Sequence, residues 1–266
     1  MNFTLRALLA HLDNGQLANS SVIPWSCPVL SFGSLKTSRI ATLGLNPSNR
    51  EFVDESGIEL DGPERRFHTL KSLNIARWSE ATVRHMRLIE ESFHTYFTRN
   101  PYDIWFRKLD RVISMAGASY YGTNANACHL DLIPYATACK WTSLSRKERA
   151  ALVAAAGSTI GHLLRISPVN IVVLNGSSVV HSFAQVAGVR LQESVMPNWS
   201  LPRKSCSDVV GIAYTGKVRT VANVELNRDV LVLGFNHNIQ SSFGVTAEVI
   251  QGIGDWIKFA TRGVIG

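Results

Sequence analysis

Three polar residues accompany apolar runs that have the length of buried strands. Asn46 ends the run 40–45, Asp131 lies within the run 127–133, and His237 comes shortly after the run 229–234. Proline has no N–H and restricts the residue before it, so Asn46-Pro47 must end the first strand. An amide, a carboxylate and an imidazole can orient water, accept a hydrogen bond and donate one. For Asn46, an ordinary strand exit built from turn residues is the alternative.

The rest of the chain supplies the elements that would position these residues. Apolar runs predict four strands, at 40–45, 127–133, 170–174 and 229–234. Helical spacing predicts helices at 2–12, 79–98, 102–116, 145–164, 178–187 and 246–260. The segment 209–224 could form a hairpin around Thr215-Gly216, preceded by a polar, proline-containing segment at 194–208.

The alternation of strands and helices implies right-handed crossovers and helices on both faces of a sheet. We therefore predict one α/β domain over residues 1–266, a three-layer α/β/α fold with a central, mainly parallel four-stranded sheet. In such a sheet the carboxyl ends of the strands share one edge, which is where ligands usually bind. The three polar residues should therefore converge.

Composition narrows the class of protein. Apolar residues make up 45% of the chain, and no run approaches the ~20 residues that a membrane span needs. We expect no signal peptide. The net charge of +7 suggests a polyanion such as nucleic acid as partner, although a merely basic protein is the alternative. Four cysteines without a C-x-x-C pair indicate free thiols in a reducing cytoplasm rather than a zinc site or, much less expected, an iron–sulfur cluster.

Three predicted strand exits carry a family resemblance. They read G-L-N-P-S at 44–48, H-L-D-L-I-P-Y at 129–135 and L-G-F-N-H-N-I-Q-S-S at 233–242. In this order they resemble the uracil-DNA glycosylase superfamily, over roughly residues 25–260. The first exit is similar to that of the mismatch-specific and single-strand-selective branches. Two departures stand out: the last loop lacks the family's two prolines, and Asp131 stands where the family usually has Asn.

The resemblance implies a uracil-DNA glycosylase-like fold and a monomeric, cofactor-free, metal-free DNA glycosylase that cleaves the N-glycosidic bond of a base extruded from DNA. Asn46 would orient the attacking water, and His237 would donate a hydrogen bond to the departing base. Leu45 and Pro47 would border the base. Phe67 would stack on it, with Phe52 as the second candidate, whereas His129 is expected to be a core residue. No lysine stands beside the first motif, which argues against lyase chemistry.

DNA contacts are expected at the turns that follow the strands. Backbone N–H groups there can hold phosphates. Ile239 could wedge into the gap that the extruded base leaves, and Arg65, Arg66, Arg203 and Lys204 could act at longer range, although a solvated charge run is their alternative. The predicted phosphate contacts are Ser48, Ser177, Ser178, Ser241 and Ser242.

Asp131 bears on which base is excised. An ionised carboxylate only accepts hydrogen bonds, so it suits an exocyclic amine such as cytosine N4 and repels uracil O4. Ordinary cytosine would be a lethal target. We therefore expect a C5-modified cytosine, hydroxymethylated or glucosylated as in phage DNA, which fits the antiphage role of some relatives. The alternatives are that Asp131 caps a local backbone group and uracil is the substrate, or that the protein is a silent module that binds modified DNA.

Overall fold

Six strands form one mixed sheet in the computed structural model, which describes residues 2–18, 20–99, 103–203 and 207–264. The strand order is β2-β1-β3-β6-β5-β4. The four predicted strands form its parallel part, and β5 and β4 extend it in antiparallel fashion. The prediction of a four-stranded sheet was therefore wrong in number. The strands are β1 Ile40–Gly44, β2 Ala127–Asp131, β3 Ile171–Asn175, β4 Gln192–Leu201, β5 Val209–Val221 and β6 Val224–Phe235.

The four parallel strands end at the same level. Gly44 pairs with Asp131 at the ends of β1 and β2, and Asn175 pairs with Phe235 at the ends of β3 and β6. The two pairs are level because Leu43, one residue before Gly44, lies beside Leu174, one residue before Asn175. The carboxyl ends of the strands therefore form one edge, as predicted.

The described residues contain eight α-helices. The predicted helix 145–164 is in fact two, α5 and α6, with Gly157 and Ser158 between them. The expected capping box at Ser145 and Glu148 is present. The predicted helix 79–98 begins only after Thr82, because 78–80 is a separate 3₁₀ turn. The helices are α1 Asn2–Asp13, α2 Val83–His94, α3 Tyr96–Arg99, α4 Asp103–Ser114, α5 Arg146–Ala156, α6 Thr159–Ile166, α7 Ser177–Ala187 and α8 Ala247–Ala260.

Helices cover both faces of the sheet. Tyr214 of β5 packs beside His181 of α7. Gly211, three residues earlier on the same strand, lies against Trp199 of β4, and Trp199 packs on Trp256 of α8. Side chains alternate along a strand, so residues three apart point to opposite faces. The helices α7 and α8 therefore lie on opposite sides, and the layers are helix, sheet and helix.

The predicted hairpin around Thr215-Gly216 was wrong. β5 continues unbroken through these residues, and the reversal comes at Ala222-Asn223, both with positive φ angles of 50° and 64°. Two consecutive positive φ angles match the type I′ turn that joins antiparallel strands. The polar segment 194–208 was also misjudged, because most of it belongs to β4.

Two further expectations concern membranes and thiols. No helix in the described ranges is both long and apolar enough to cross a membrane. Cys27, Cys128 and Cys139 carry free thiols, and Cys206 lies outside the described residues. Burial raises the pKa of the Cys27 and Cys128 thiols to about 12, so both are inert packing residues.

Close packing of α6 on the β5–β6 turn gives a stability prediction. A Cβ at Gly161 would lie 2.5 Å from the carbonyl oxygen of Val221 and 2.9 Å from Cβ of Val224. Gly161→Ala should therefore lower the free energy of unfolding by about 1–3 kcal/mol, measured by urea denaturation. The control is Ser158→Ala at an exposed neighbouring position, which should stay within about 0.5 kcal/mol of wild type. Equal denaturation midpoints for both variants would contradict this packing.

Candidate functional site

A cavity of about 160 Å³ lies at the carboxyl ends of β1 and β2. Its volume is similar to that of an engineered protein cavity that binds benzene, so one six-membered ring fits. The wall is aromatic, from Phe32, Trp105 and Phe106, with Pro47 beside them. The polar lining residues are Asn46, Ser48, Glu51, His129 and Asp131. The structure therefore brings together two of the three polar residues predicted at the strand ends.

Asn46 has one end of its amide fixed. Its Nδ2 donates to the carbonyl of Pro47 at 3.1 Å and to Oγ1 of Thr137 at 2.9 Å, with the carbonyl of Tyr135 at 3.4 Å. Carbonyl oxygens accept only from the nitrogen, so these contacts settle which end is which. Within the described ranges, Oδ1 receives no hydrogen bond. It remains as an acceptor at the cavity.

Asp131 faces the cavity across a glycine. Its side chain is only 4% exposed, and its Oδ1 lies 3.6 Å from Nε2 of His129. A Cβ at Gly44 would collide with the Asp131 carboxylate and lie 3.0 Å from the His129 ring, so only glycine fits there. Asp131 makes no hydrogen bond to a backbone group of the described residues. The alternative in which it caps local backbone therefore has no support in these contacts.

His129 belongs to the cavity as well as to the core, which differs from the expectation. Tyr120 is fully buried, and its hydroxyl bonds to Oγ1 of Thr42 at 2.6 Å, its one partner in the described part of the chain. Thr42 Oγ1 in turn lies 2.7 Å from Nδ1 of His129. If each proton finds an acceptor, Tyr120 donates to Thr42 and Thr42 donates to Nδ1. The His129 proton then sits on Nε2, beside Asp131 and the cavity.

The predicted stacking residues lie elsewhere. Phe67 is 1% exposed and stacks on Tyr96, with ring centroids 5.2 Å apart. Phe52 packs against Phe67 and Trp25. Neither ring lines the cavity, because an aromatic cluster in the core uses both. The ring faces available to a ligand come from Phe32, Trp105 and Phe106, which sequence reasoning did not single out.

His237 also lies outside the residues that line the cavity. Its ring is 2% exposed, and Nε2 lies 2.7 Å from the carbonyl oxygen of Trp199 on β4. Burial lowers the pKa of His237. Its loop approaches the cavity wall at one point, where Nε2 of Gln240 lies 3.5 Å from the carbonyl of Trp105. The structure thus gives the His237 ring a packing partner rather than a place beside Asn46.

The predicted backbone contacts are mixed in position. Ser48 lines the cavity and caps the turn 49–51. The N–H of Ser177 donates to Asn236, and those of Ser241 and Ser242 bond to Asn238, so these three amides are occupied; the side chain of Ser178 is exposed at the start of α7.

Several other predicted contacts have protein partners. Leu45 is half-buried against the core, outside the cavity, and Ile239 is 2% exposed. Arg65 pairs with Asp61, Arg66 with Glu51, and Arg203 donates to the carbonyl of Phe243; Lys204 lies outside the described residues.

Glu51 is a lining residue that the sequence did not reveal. It is 3% exposed, and burial raises its pKa to about 7. The hydroxyl of Tyr96 donates to Oε2 at 3.0 Å, and Nη1 of Arg66 lies 3.6 Å from the same oxygen. A buried carboxyl with a raised pKa inside a cavity is a feature of functional sites. The described residues contain no cluster of three or more His, Cys, Asp or Glu that could hold a metal ion.

A scan against protein-family models finds no match, and a search of curated proteins likewise finds none. The assignment of a function therefore depends on the geometry of the cavity.

The hydrogen-bond relay can be tested by stability. Thr42→Val keeps the shape of the side chain but leaves the Tyr120 hydroxyl and Nδ1 of His129 buried without a partner. We expect a loss of about 1–3 kcal/mol in the free energy of unfolding, measured by urea denaturation. Adding Tyr120→Phe should recover part of it, because removing both partners costs less than orphaning one.

The control for the relay is Thr220→Val at an exposed position of β5, which should stay within about 0.5 kcal/mol of wild type. Equal stability of Thr42→Val and wild type would show that the relay does not exist.

Proposed function

We propose that this protein is a monofunctional DNA glycosylase of the uracil-DNA glycosylase type. The observation that carries the proposal is the convergence of Asn46, Asp131 and His129 on one ring-sized cavity at the C-terminal edge of a parallel sheet. The order of the parallel strands, β2-β1-β3-β6, and their level ends support the resemblance of the three motifs. The net charge of +7 supports DNA as the partner.

The chemistry follows from what each group can do. As the N-glycosidic bond breaks, the sugar becomes oxocarbenium-like and the base becomes anionic. Asn46 cannot remove a proton from water, but Oδ1 can hold a water for attack on a sugar that is already cationic. His129 offers its Nε2–H to a carbonyl oxygen of the base, the role that the motif assigned to His237. The residues that line the cavity include no lysine, so no group there would form a Schiff base.

We infer that the base carries an exocyclic amine. Asp131 can accept from such an amine, and Glu51 provides a second carboxyl on the same cavity. A volume of about 160 Å³ holds one ring and little more, so a substituent at C5 would have to extend through the mouth. Because unmodified cytosine would be a lethal target, a C5-modified cytosine, as in phage DNA, is the proposed substrate, with defence against phage as the proposed role.

Uracil remains the second candidate, and one distance favours it. Nε2 of His129 and Oδ1 of Asp131 lie 3.6 Å apart, so together they offer the donor and acceptor that an asparagine amide would offer. Such a pair could donate to uracil O4 and accept from N3–H. The amine is preferred, because Glu51 adds a further carboxyl where uracil has only one N–H to give.

A flipped base leaves a gap in the duplex, and Phe243 is placed to fill it. This residue is 80% exposed in the loop after β6. The guanidinium of Arg203 lies 5.4 Å from the ring centroid and donates to the Phe243 carbonyl at 3.1 Å, which steadies the loop. Apolar wedges of this kind unstack bases at low cost in other DNA-binding proteins. Phe243 replaces the buried Ile239 in this role.

Asn46→Ala should abolish base excision while leaving the protein folded. We expect the rate of abasic-site formation to fall by at least about 10²-fold, because the water is no longer positioned. The assay uses oligonucleotides with uracil, cytosine, 5-hydroxymethylcytosine or its glucosylated form, and alkali to cleave abasic sites. Asn198→Ala at an exposed position of β4 is the control and should retain the wild-type rate. Tight DNA binding without abasic product on any substrate would contradict the proposal.

Asp131→Asn should change which base is preferred. The amide can donate to O4, so the ratio of rates for uracil over 5-hydroxymethylcytosine should rise by about 10-fold or more. The matched control is Asp229→Asn, whose carboxylate is exposed at the surface of β6. An unchanged ratio would remove Asp131 from base recognition and leave the glycosylase assignment to the Asn46 result.

A further inference from the structure

A second carboxyl lines the same cavity as Asp131, and it is held in place on two sides. Glu51 closes the 3₁₀ turn Asn49–Glu51, directly after Ser48. Its Oε2 accepts from the Tyr96 hydroxyl at 3.0 Å and lies 3.6 Å from Nη1 of Arg66. The side chains of Glu51 and Asp131 are 3% and 4% exposed. Two buried carboxyls on one cavity are difficult to ionise together.

The surroundings of Glu51 set its proton affinity near neutrality. Burial is the largest cause that raises its pKa to about 7, and the charge of Asp131 adds to it. The guanidinium of Arg66 and the hydroxyl of Tyr96 act in the opposite direction. His129 is the remaining titratable group on the cavity. A carboxyl that exchanges its proton near neutral pH is suited to general acid and base catalysis.

We propose that Glu51 is a catalytic residue that protonates the departing base, and that this base is a 4-aminopyrimidine, with N3 taking the proton while the N4 amine donates to Asp131. This inference rests on the proposed function and extends it to the leaving group. Along the edge of a cytosine ring, an amine donor stands next to a ring-nitrogen acceptor. A protonated carboxyl beside an ionised one offers the complementary donor and acceptor.

The step balances without a further reactant. The C1′–N1 bond breaks, its electron pair stays with the base, and the proton of Glu51 moves to N3, so a neutral base leaves. The water held by Asn46 bonds to C1′ and loses a proton, which returns to the Glu51 carboxylate directly or through solvent. Between these events the carboxylate is paired with Arg66. The net reaction is hydrolysis, and Glu51 ends as it began.

The test is the pH dependence of single-turnover excision of 5-hydroxymethylcytosine from DNA, from pH about 5 to about 9. Glu51 must be protonated to act, so the wild-type rate should fall as pH rises through about 7. Glu51→Gln keeps size and a hydrogen-bond donor but has no proton to transfer. Its rate should be at least about 10²-fold lower at pH 6, and the fall with rising pH should disappear.

Two further variants sharpen the test. Tyr96→Phe removes a hydrogen bond that favours the ionised carboxylate, so it should move the fall in rate to higher pH. Glu64→Gln, at an exposed carboxyl near the site in sequence, is the matched control and should keep the wild-type profile.

The outcomes separate this inference from the proposed function. A wild-type rate and profile for Glu51→Gln, while Asn46→Ala is inactive, would overturn the role of Glu51 and leave the glycosylase standing. If Glu51→Gln does not fold, as judged by thermal unfolding, Tyr96→Phe decides: a profile that stays in place or moves to lower pH overturns the inference. A wild type that releases no base from any substrate overturns both.

Discussion

The close approach of β2 to a bare backbone at Gly44 is the contact on which the candidate site depends. Gly44 and Asp131 are register partners, and the space that a side chain at 44 would fill is taken by the Asp131 carboxylate and the His129 ring. With any Cβ there, both groups would have to move away from the exit of β1. The glycine thereby allows an acceptor, a donor and the Asn46 amide to share one small cavity. Its backbone φ needs no glycine; the crowding does.

The parallel part of the fold could be predicted from sequence, because its strands are buried on both faces and appear as short apolar runs. The antiparallel part could not. Most residues of β4 are exposed, and Pro197 lies within it, so the segment has the composition of a loop. Gly216 looked like a turn residue but lies inside β5, where a Cβ would lie 2.6 Å from Cδ2 of Leu191. Glycine in a strand often marks such a close approach.

The candidate site was predictable where local rules apply and unpredictable where tertiary contacts decide. Asn46 and Asp131 were found because a strand end is visible in the sequence. His129 could have been found too, since residues two apart on a strand share a face and Asp131 was already placed at the edge. Glu51, Phe32 and Trp105 come from three other segments, which no spacing connects. His237 was misplaced because its partner, Trp199, belongs to the strand that was not predicted.

The cavity combines features that a stable core avoids, and this is the physical reason to regard it as functional. Aromatic walls withdraw Glu51 from water, which disfavours its charge, while Arg66 and Tyr96 keep the ionised form within reach. The folded-state pKa of about 7 exceeds the ordinary value of 4.5, so folding takes up a proton between these pH values. The stabilising contribution of this group is full below pH 4.5 and is lost as pH rises through about 7. At neutral pH a methionine or glutamine in its place would cost the fold less. A fold that retains a carboxyl there keeps a proton beside a ring-sized space, where it can be given to a ligand and taken back.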